Sequence, residues 1–257
     1  MKKNRLIFCI FILLLAFASS VNAQKKRNEG IIRSTLRGLE YEIKAGFNIG
    51  GTSPMPLPVE IRSLEKYNPT IAIAIEGNVN KYFGKKWGVG IGLRLENKGM
   101  KTDAKVKNYH MEMIAEDGGK MKGAWTGYVK TKVRNSYLTI PVLALYKISP
   151  RWVAKAGPYV SFLSEGEFSG SAYNGYLRNE NPIGEKVNVP SATYDFSNDI
   201  RKFQWGAQIG TEWKAFSHLS IYADLTWGLN SIFPQDFNSI TFDMYPIYAN
   251  LGFAYLF

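Results

Sequence analysis

Cysteine is almost missing from this chain. The 257 residues hold one, Cys9, inside an amino-terminal apolar run. Nothing after it can form a disulfide framework, so an exported product must find its stability elsewhere. Histidine is scarce as well: His110 and His218 stand far apart, and without cysteine they leave no plausible zinc ligand set. Acidic residues are outnumbered, 21 against 32 Lys and Arg, for a formal net charge of +11. A basic balance can mean nucleic acid, but no basic helix is readable here and the export signal below argues against it. Attraction to anionic lipid head groups is the simpler account. Beyond residue 23 no window approaches the roughly 20 apolar residues of a membrane-spanning helix. If this chain crosses a membrane, it crosses as strands.

Residues 1–23 read as a secretory signal peptide. Lys2, Lys3 and Arg5 form the basic region, residues 6–17 the apolar one, and Val21-Asn22-Ala23 precedes a cut expected between Ala23 and Gln24. Removing those three cations lowers the formal charge from +11 to +8. Residues 24–39 carry Lys25, Lys26, Arg27, Arg33 and Arg37 against Glu29. They read as a short periplasmic leader, with a docking segment for a partner as the alternative. Residues 40–257 are long enough for one large β domain.

What is abundant is alternation. Residues 40–50 set Tyr41, Ile43, Ala45, Phe47 and Ile49 against Glu42, Lys44, Gly46, Asn48 and Gly50, and a period of two is a strand. Residues 51–69 read as a loop, since Pro54, Pro56, Pro58 and Pro69 exclude regular strand. A second strand over 70–82 opposes Ile71, Ile73, Ile75 and Val79 to Ala72, Ala74, Glu76, Asn78 and Asn80. After a tight turn at 83–86, a third opposes Trp87, Val89, Ile91, Leu93 and Leu95 to Gly88, Gly90, Gly92, Arg94 and Glu96. Residues 99–132 are long and charged, with Glu116-Asp117-Gly118-Gly119 as a turn signal, and read as a hairpin continuing strands three and four. Strand four, 133–148, points Leu138, Ile140, Val142, Ala144 and Tyr146 one way. Ser149-Pro150 turns the chain into strand five, 151–164. Residues 165–201 form a second long insertion. Strand six (Phe203 to Trp213) and strand seven (219–230) flank a tight turn at 215–218. A third loop over 231–245 precedes the terminal strand, 247–257. Pro141 and Pro158 each remove a ladder donor and read as local bulges or bends.

Connections therefore alternate long and short, as when tight turns face the periplasm and loops face outside. One face of each strand is apolar and ends in aromatics. The other carries Gly, Asn, Gln and charges of both signs: Glu42, Lys44, Glu76, Arg94, Glu96, Lys155, Glu212 and Asp224. Lipid penalises such charges by roughly 2–4 kcal/mol each at mid-membrane, whereas a lumen lets them pair and meet water. Trp87, Trp152, Trp205, Trp213 and Trp227 sit near strand ends, which suits an interfacial girdle. The expected fold is all-β, an eight-stranded antiparallel up-and-down transmembrane barrel with periplasmic termini and long extracellular loops. In a barrel this narrow, side chains just fill the interior, so the lumen charges read as a salt-bridged plug. A gap in the network would read as transport.

At strand four Tyr137-Leu138-Thr139-Ile140-Pro141-Val142, followed by Leu143-Ala144-Leu145-Tyr146-Lys147, resembles a segment of the PorT-like outer-membrane β-barrel family of Bacteroidetes. Ala156-Gly157-Pro158-Tyr159-Val160 is similar to another of its segments. Phe203-Gln204-Trp205-Gly206 and Asp224-Leu225-Thr226-Trp227-Gly228-Leu229-Asn230 resemble its closing repeats. The resemblance covers most of residues 40–257 and is weakest in the long loops. The terminal strand, with Phe253, Tyr255 and Phe257, resembles the assembly signal by which outer-membrane barrels engage the barrel-assembly machinery. The family implies no catalytic residues, and one branch of it is tied to type IX secretion and gliding.

No cofactor, metal or catalytic set is expected. His110 with Ser136 or Asp103 could be imagined as a lipid-hydrolysing site, but a solvated loop histidine is the stronger reading. Gly88-x-Gly90-x-Gly92 lies inside an alternating strand with no helix after it, so it is no dinucleotide motif. The expected activity is that of a non-enzymatic envelope component, structural or interacting, possible partners being outer-membrane lipid and an envelope or secretion-system protein. A narrow channel and a lipid-modifying barrel enzyme are the alternatives. The candidate binding surface is Tyr109, Trp125, Tyr128, Tyr173 and Tyr176, beside loop lysines and acids that could instead pair across the mouth.

Overall fold

Alternation yields ten strands among the described residues of the computed structural model, which are 38–115, 118–179, 184–240 and 242–257. The signal peptide and nearly all of the leader lie outside them. The strands are β1 (Leu39–Pro54), β2 (Ile61–Pro69), β3 (Ala72–Phe83), β4 (Trp87–Ala115), β5 (Lys120–Lys147), β6 (Trp152–Asn179), β7 (Lys186–Asp195), β8 (Phe203–Lys214), β9 (Leu219–Gly228) and β10 (Met244–Leu256). Eight of them close a ring in the order β1, β3, β4, β5, β6, β8, β9, β10, every pair antiparallel. The closing seam runs from Glu42↔Leu256 to Pro54↔Met244. Beyond it Phe257 N donates to Tyr41 O at 3.0 Å.

The ring is inside-out relative to a soluble barrel. Ile71 is 75 % exposed on the outer wall while Arg94 is 1 % exposed inside. Outward aromatics form two belts. Near the tight turns Trp87 packs on Tyr146 with ring centroids 4.7 Å apart, and Trp152 on Trp213 at 6.4 Å. At the other end Phe162 meets Phe203 at 5.5 Å, beside the exposed Trp205 and Trp227. Phe203 and Trp213 are ends of one strand, β8, about 33 Å apart along it at ~3.3 Å per residue. Tilted by the usual ~40°, that separation projects to about 25 Å, the height of an outer-membrane apolar band.

Three strands do not stop at the second belt. β4, β5 and β6 have 29, 28 and 28 residues and continue upward as one sheet. The expected hairpin over 99–132 is thus present, but two of the three other long connections hold strands the sequence did not suggest. Within residues 51–69, β1 runs on to Pro54 and β2 pairs with β4. Pro69 is tolerated because it ends a strand paired on one side only. Within 165–201, β6 reaches Asn179 and β7 returns along it, then meets the tip of β4 at Ile114↔Thr193 and Ala115↔Ala192. The sheet folds over where Asn108 and Asn174 adopt positive φ, 55° and 49°. There the register slips between Val106 and Tyr109 and between Thr126 and Tyr128. The enclosed space has its own apolar core, in which Met111, Met113, Trp125, Phe168, Tyr194 and Phe233 are buried. This cap sits over the ring, and the β9–β10 loop enters it through Ile232, Phe233 and Ile240.

Pro141 and Pro158 make no bulges. The register is identical on both sides of each: Ile91↔Val142 and Arg94↔Thr139 on one flank of β5, Pro141↔Tyr159 and Ala144↔Ala156 on the other. The ladder simply skips the missing donors.

Candidate functional site

Inside the ring, inward residues from neighbouring strands fall level with one another. The pairings Lys44↔Glu76 and Glu76↔Arg94 set three charges in a row. Arg94 Nε donates to Glu76, its Nη2 reaches Gln208 Oε1 at 2.9 Å, and its Nη1 lies 3.7 Å from Glu96 Oε2. Lys44 Nζ stands 3.3 Å from Glu76, 3.7 Å from Asp224 and 3.9 Å from Glu42. Lys155 Nζ bridges Asp224 at 3.2 Å and Glu212 at 3.5 Å. All eight charges named from the sequence therefore meet in one lumen network.

The sequence reading missed the upper tier of this plug. Glu96 also accepts from Thr139 at 2.7 Å and Asn48 at 3.0 Å, and pairs with Lys98 at 3.1 Å. Lys98 Nζ lies within a ring of Tyr137, Tyr159 and Tyr248, 5.4–5.7 Å from each centroid. Lys98 continues the inward parity of Arg94 and Glu96, so alternation could have found it. The glycines at 88, 90 and 92 make room for this filling: a Cβ on each would collide with the inward side chain of Tyr82, Asn80 or Asn78. Below the Arg94 layer a vestibule of about 250 Å³ opens to the tight-turn end, lined by Glu42, Lys44, Lys155 and Glu212 with Arg151 and Lys214 at its rim.

The five aromatics singled out for the cap are not one surface. Trp125 is 0 % exposed, its indole Nε1 donating to Tyr128 O at 3.3 Å inside the core. Tyr109 packs edge-on to Phe242 with centroids 5.5 Å apart against the same core. Both are corrected to core residues: the extra residue in β4 between Val106 and Tyr109 turns Tyr109 inward, whereas Trp125 keeps the inward parity of Val133 and Tyr137 along β5. Tyr128, Tyr173 and Tyr176 do lie on the outer face. The first two stack at 5.4 Å, with Lys130 Nζ 4.5 Å over the Tyr173 ring. Tyr176 lies under Lys186 Nζ at 4.7 Å.

Next to that stack, β2, β4 and β5 bring Lys66, Lys101, Lys130 and Lys132 around an open cleft of about 270 Å³ whose one acidic lining residue, among those described, is Asp103. Asp103 accepts from Tyr173 OH at 3.0 and 2.8 Å. Partial burial and this carboxylate push the Tyr173 hydroxyl up to about 12. Of the expected pairing across the mouth, Lys132 and Glu167 meet at 2.6 Å. Ser136 Oγ donates to Asn97 and Asp103 is held by Tyr173, so neither is engaged with His110, which is exposed beyond the fold in β4.

No curated protein matches the chain. Among solved structures it is similar to the attachment invasion locus protein Ail of Yersinia pestis in complex with the heparin analogue sucrose octasulfate: 11% identity, 85% of this chain and 97% of that one covered, TM-score 0.37. It is similar to Neisserial surface protein A at 9% identity, with 86% and 97% covered and a TM-score of 0.34. The Escherichia coli outer membrane protease OmpT gives 11%, 87% and 98%, and 0.34. The family model "outer membrane protein beta-barrel domain" matches residues 22–234. With the inverted ring, its aromatic belts and its filled lumen, the chain belongs to that family and is an integral β-barrel protein of the outer membrane.

Proposed function

We propose that this protein is a closed, non-enzymatic barrel that holds a folded extracellular cap, and that the cap's lysine cleft binds an acidic glycan. The observation that carries the reading is the cleft itself, four lysines around one already engaged carboxylate. The Tyr128–Tyr173 stack beside it offers aromatic faces for sugar rings, and the lysines offer charge to carboxylate, phosphate or sulfate groups. The filled lumen supports anchoring over conduction, since the Arg94 layer leaves its members nearly inaccessible.

Two measurements test this. The refolded protein is expected to be silent in planar-bilayer recordings; discrete steady openings would overturn the closed barrel. On an immobilised acidic polysaccharide it is expected to be retained at low salt and released as salt rises, because exposed charges are screened beyond about 10 Å at 0.1 M. The double variant Lys101→Glu/Lys130→Glu should run through the column while keeping the folded electrophoretic mobility. Equal retention of wild type and double variant would sink the glycan reading. The narrower secretion-linked role rests on the family resemblance alone, carried by residues 137–147, 156–160, 203–206 and 224–230. Its test is co-purification of a secretion-system component with the intact barrel.

A further inference from the structure

The barrel wall has a seam. β1 pairs with β3 only as far as Asn48↔Ala72, then climbs from Gly50 to Pro54 paired with β10 alone. β2 continues the line of β3 upward but pairs with β4 alone. Between the upper end of β1 and β2 no ladder forms among the described residues; Tyr67 OH donates to Gly50 O at 2.7 Å, and behind the gap Thr52 N donates to Met100 Sδ of β4 at 3.3 Å. Behind the seam lies a cavity of about 480 Å³. Its inner wall is apolar and fully buried: Met100, Val106, Val129, Phe168 and Met244. Its lips are apolar and exposed, Leu57 at 65 % and Leu64 at 57 %. Among the described residues that line it, Arg62 is the sole charge.

The height of the opening matters. Gly51 is in register with Ile247, and Ile247 with Trp227 of the upper aromatic belt. The foot of the seam therefore lies just above the belt, at head-group level, while Leu64, in register with Ala104, stands nine residues up β4 from Leu95, which the ladder joins to Phe162 of that belt through Leu138. A cavity of this volume, mostly apolar with one oriented polar group, has the size and chemistry of a small-molecule site.

We infer that the seam admits one hydrocarbon chain of an anionic amphiphile, its chain against Met100 and Phe168 and its head group at Arg62. The site adjoins the lysine cleft, with Thr102 and Thr131 lining both, but it does not depend on the glycan reading. A long-chain fatty acid with a photoreactive diazirine at its methyl end, and an anionic phospholipid carrying the same chain, are each irradiated with the full-length protein in lipid nanodiscs. The label is expected on peptides holding Met100 to Val106, Val129 or Phe242 to Met244. Labelling there should be lost in Ala104→Phe and Thr102→Phe, which fill the cavity from β4. Arg62→Ala should weaken competition by unlabelled fatty acid about tenfold, the scale of one charge-assisted hydrogen bond. Labelling by the fatty acid alone assigns a free acid, and labelling by both assigns the membrane lipid. Wild-type label spread evenly over lipid-facing positions such as Ile43, Ile73 and Leu251 overturns the inference, even if neither filled variant folds.

Discussion

At the scale of single residues the lumen is held by pairing, and pairing is costly to break from one side. Arg94→Ala removes the cation facing Glu76 and Glu96 and leaves two buried carboxylates with less compensation. Such one-sided losses cost about 3–5 kcal/mol, so the urea midpoint of folded barrel in micelles should fall sharply. An unchanged midpoint would mean that water already screens the network. Tyr173 gives a pH test outside the membrane. Its hydroxyl holds its proton up to about 12, above the unfolded value of about 10. The stability it contributes is therefore complete below the unfolded value and lost as pH rises through the folded one. In Asp103→Asn the Tyr173 resonance, followed by carbon-13 tyrosine labelling, should titrate closer to 10. The lumen charges were legible in the sequence because strict alternation gave each an inward parity. Tyr109 was not, because parity is counted from the last regular pair, and the single extra residue in β4 after Val106 reverses it.

At the scale of elements, the eight ring strands could be read directly from runs of apolar and polar residues. β2 and β7 could not. β2 pairs on one edge only and slips register between Ile61 and Ser63 and again between Leu64 and Lys66, which erases its period. β7 carries Pro190 opposite the positive-φ Asn174, and its buried positions jump from Val189 to Ala192. Both cases show a polar, interrupted strand made stable by a longer neighbour rather than by its own pattern. The fold in β4 depends on Asn108 at φ 55°. Asn108→Gly should leave the cap intact, while Asn108→Val, β-branched and strained there, should destabilise it by roughly 1–2 kcal/mol. The readout is protease cleavage within residues 99–132. Equal resistance of the two variants would show that the bulge, and not the asparagine, sets the bend.

At the scale of the whole molecule there are two interiors of opposite kind, a polar one within the membrane band and an apolar one above it. They should fail separately. Trp125→Ala empties the cap core at a cost of about 3–5 kcal/mol. Hydrogen exchange should then rise at Val129, Phe168 and Val189, with amides of residues 89–95 and 221–225 unaffected; a uniform rise would mean that cap and barrel unfold as one unit. The same architecture has a mechanical side. β4, β5 and β6 run unbroken from the lower belt to the far end of the cap, and β4 alone has a contour of about 95 Å. Their hydrogen bonds lie across the strands, so a pull on the cap strains a whole ladder together instead of opening it one pair at a time. Tension applied to this protein from outside the cell reaches the membrane through a stiff ribbon, with no slack linker to absorb it.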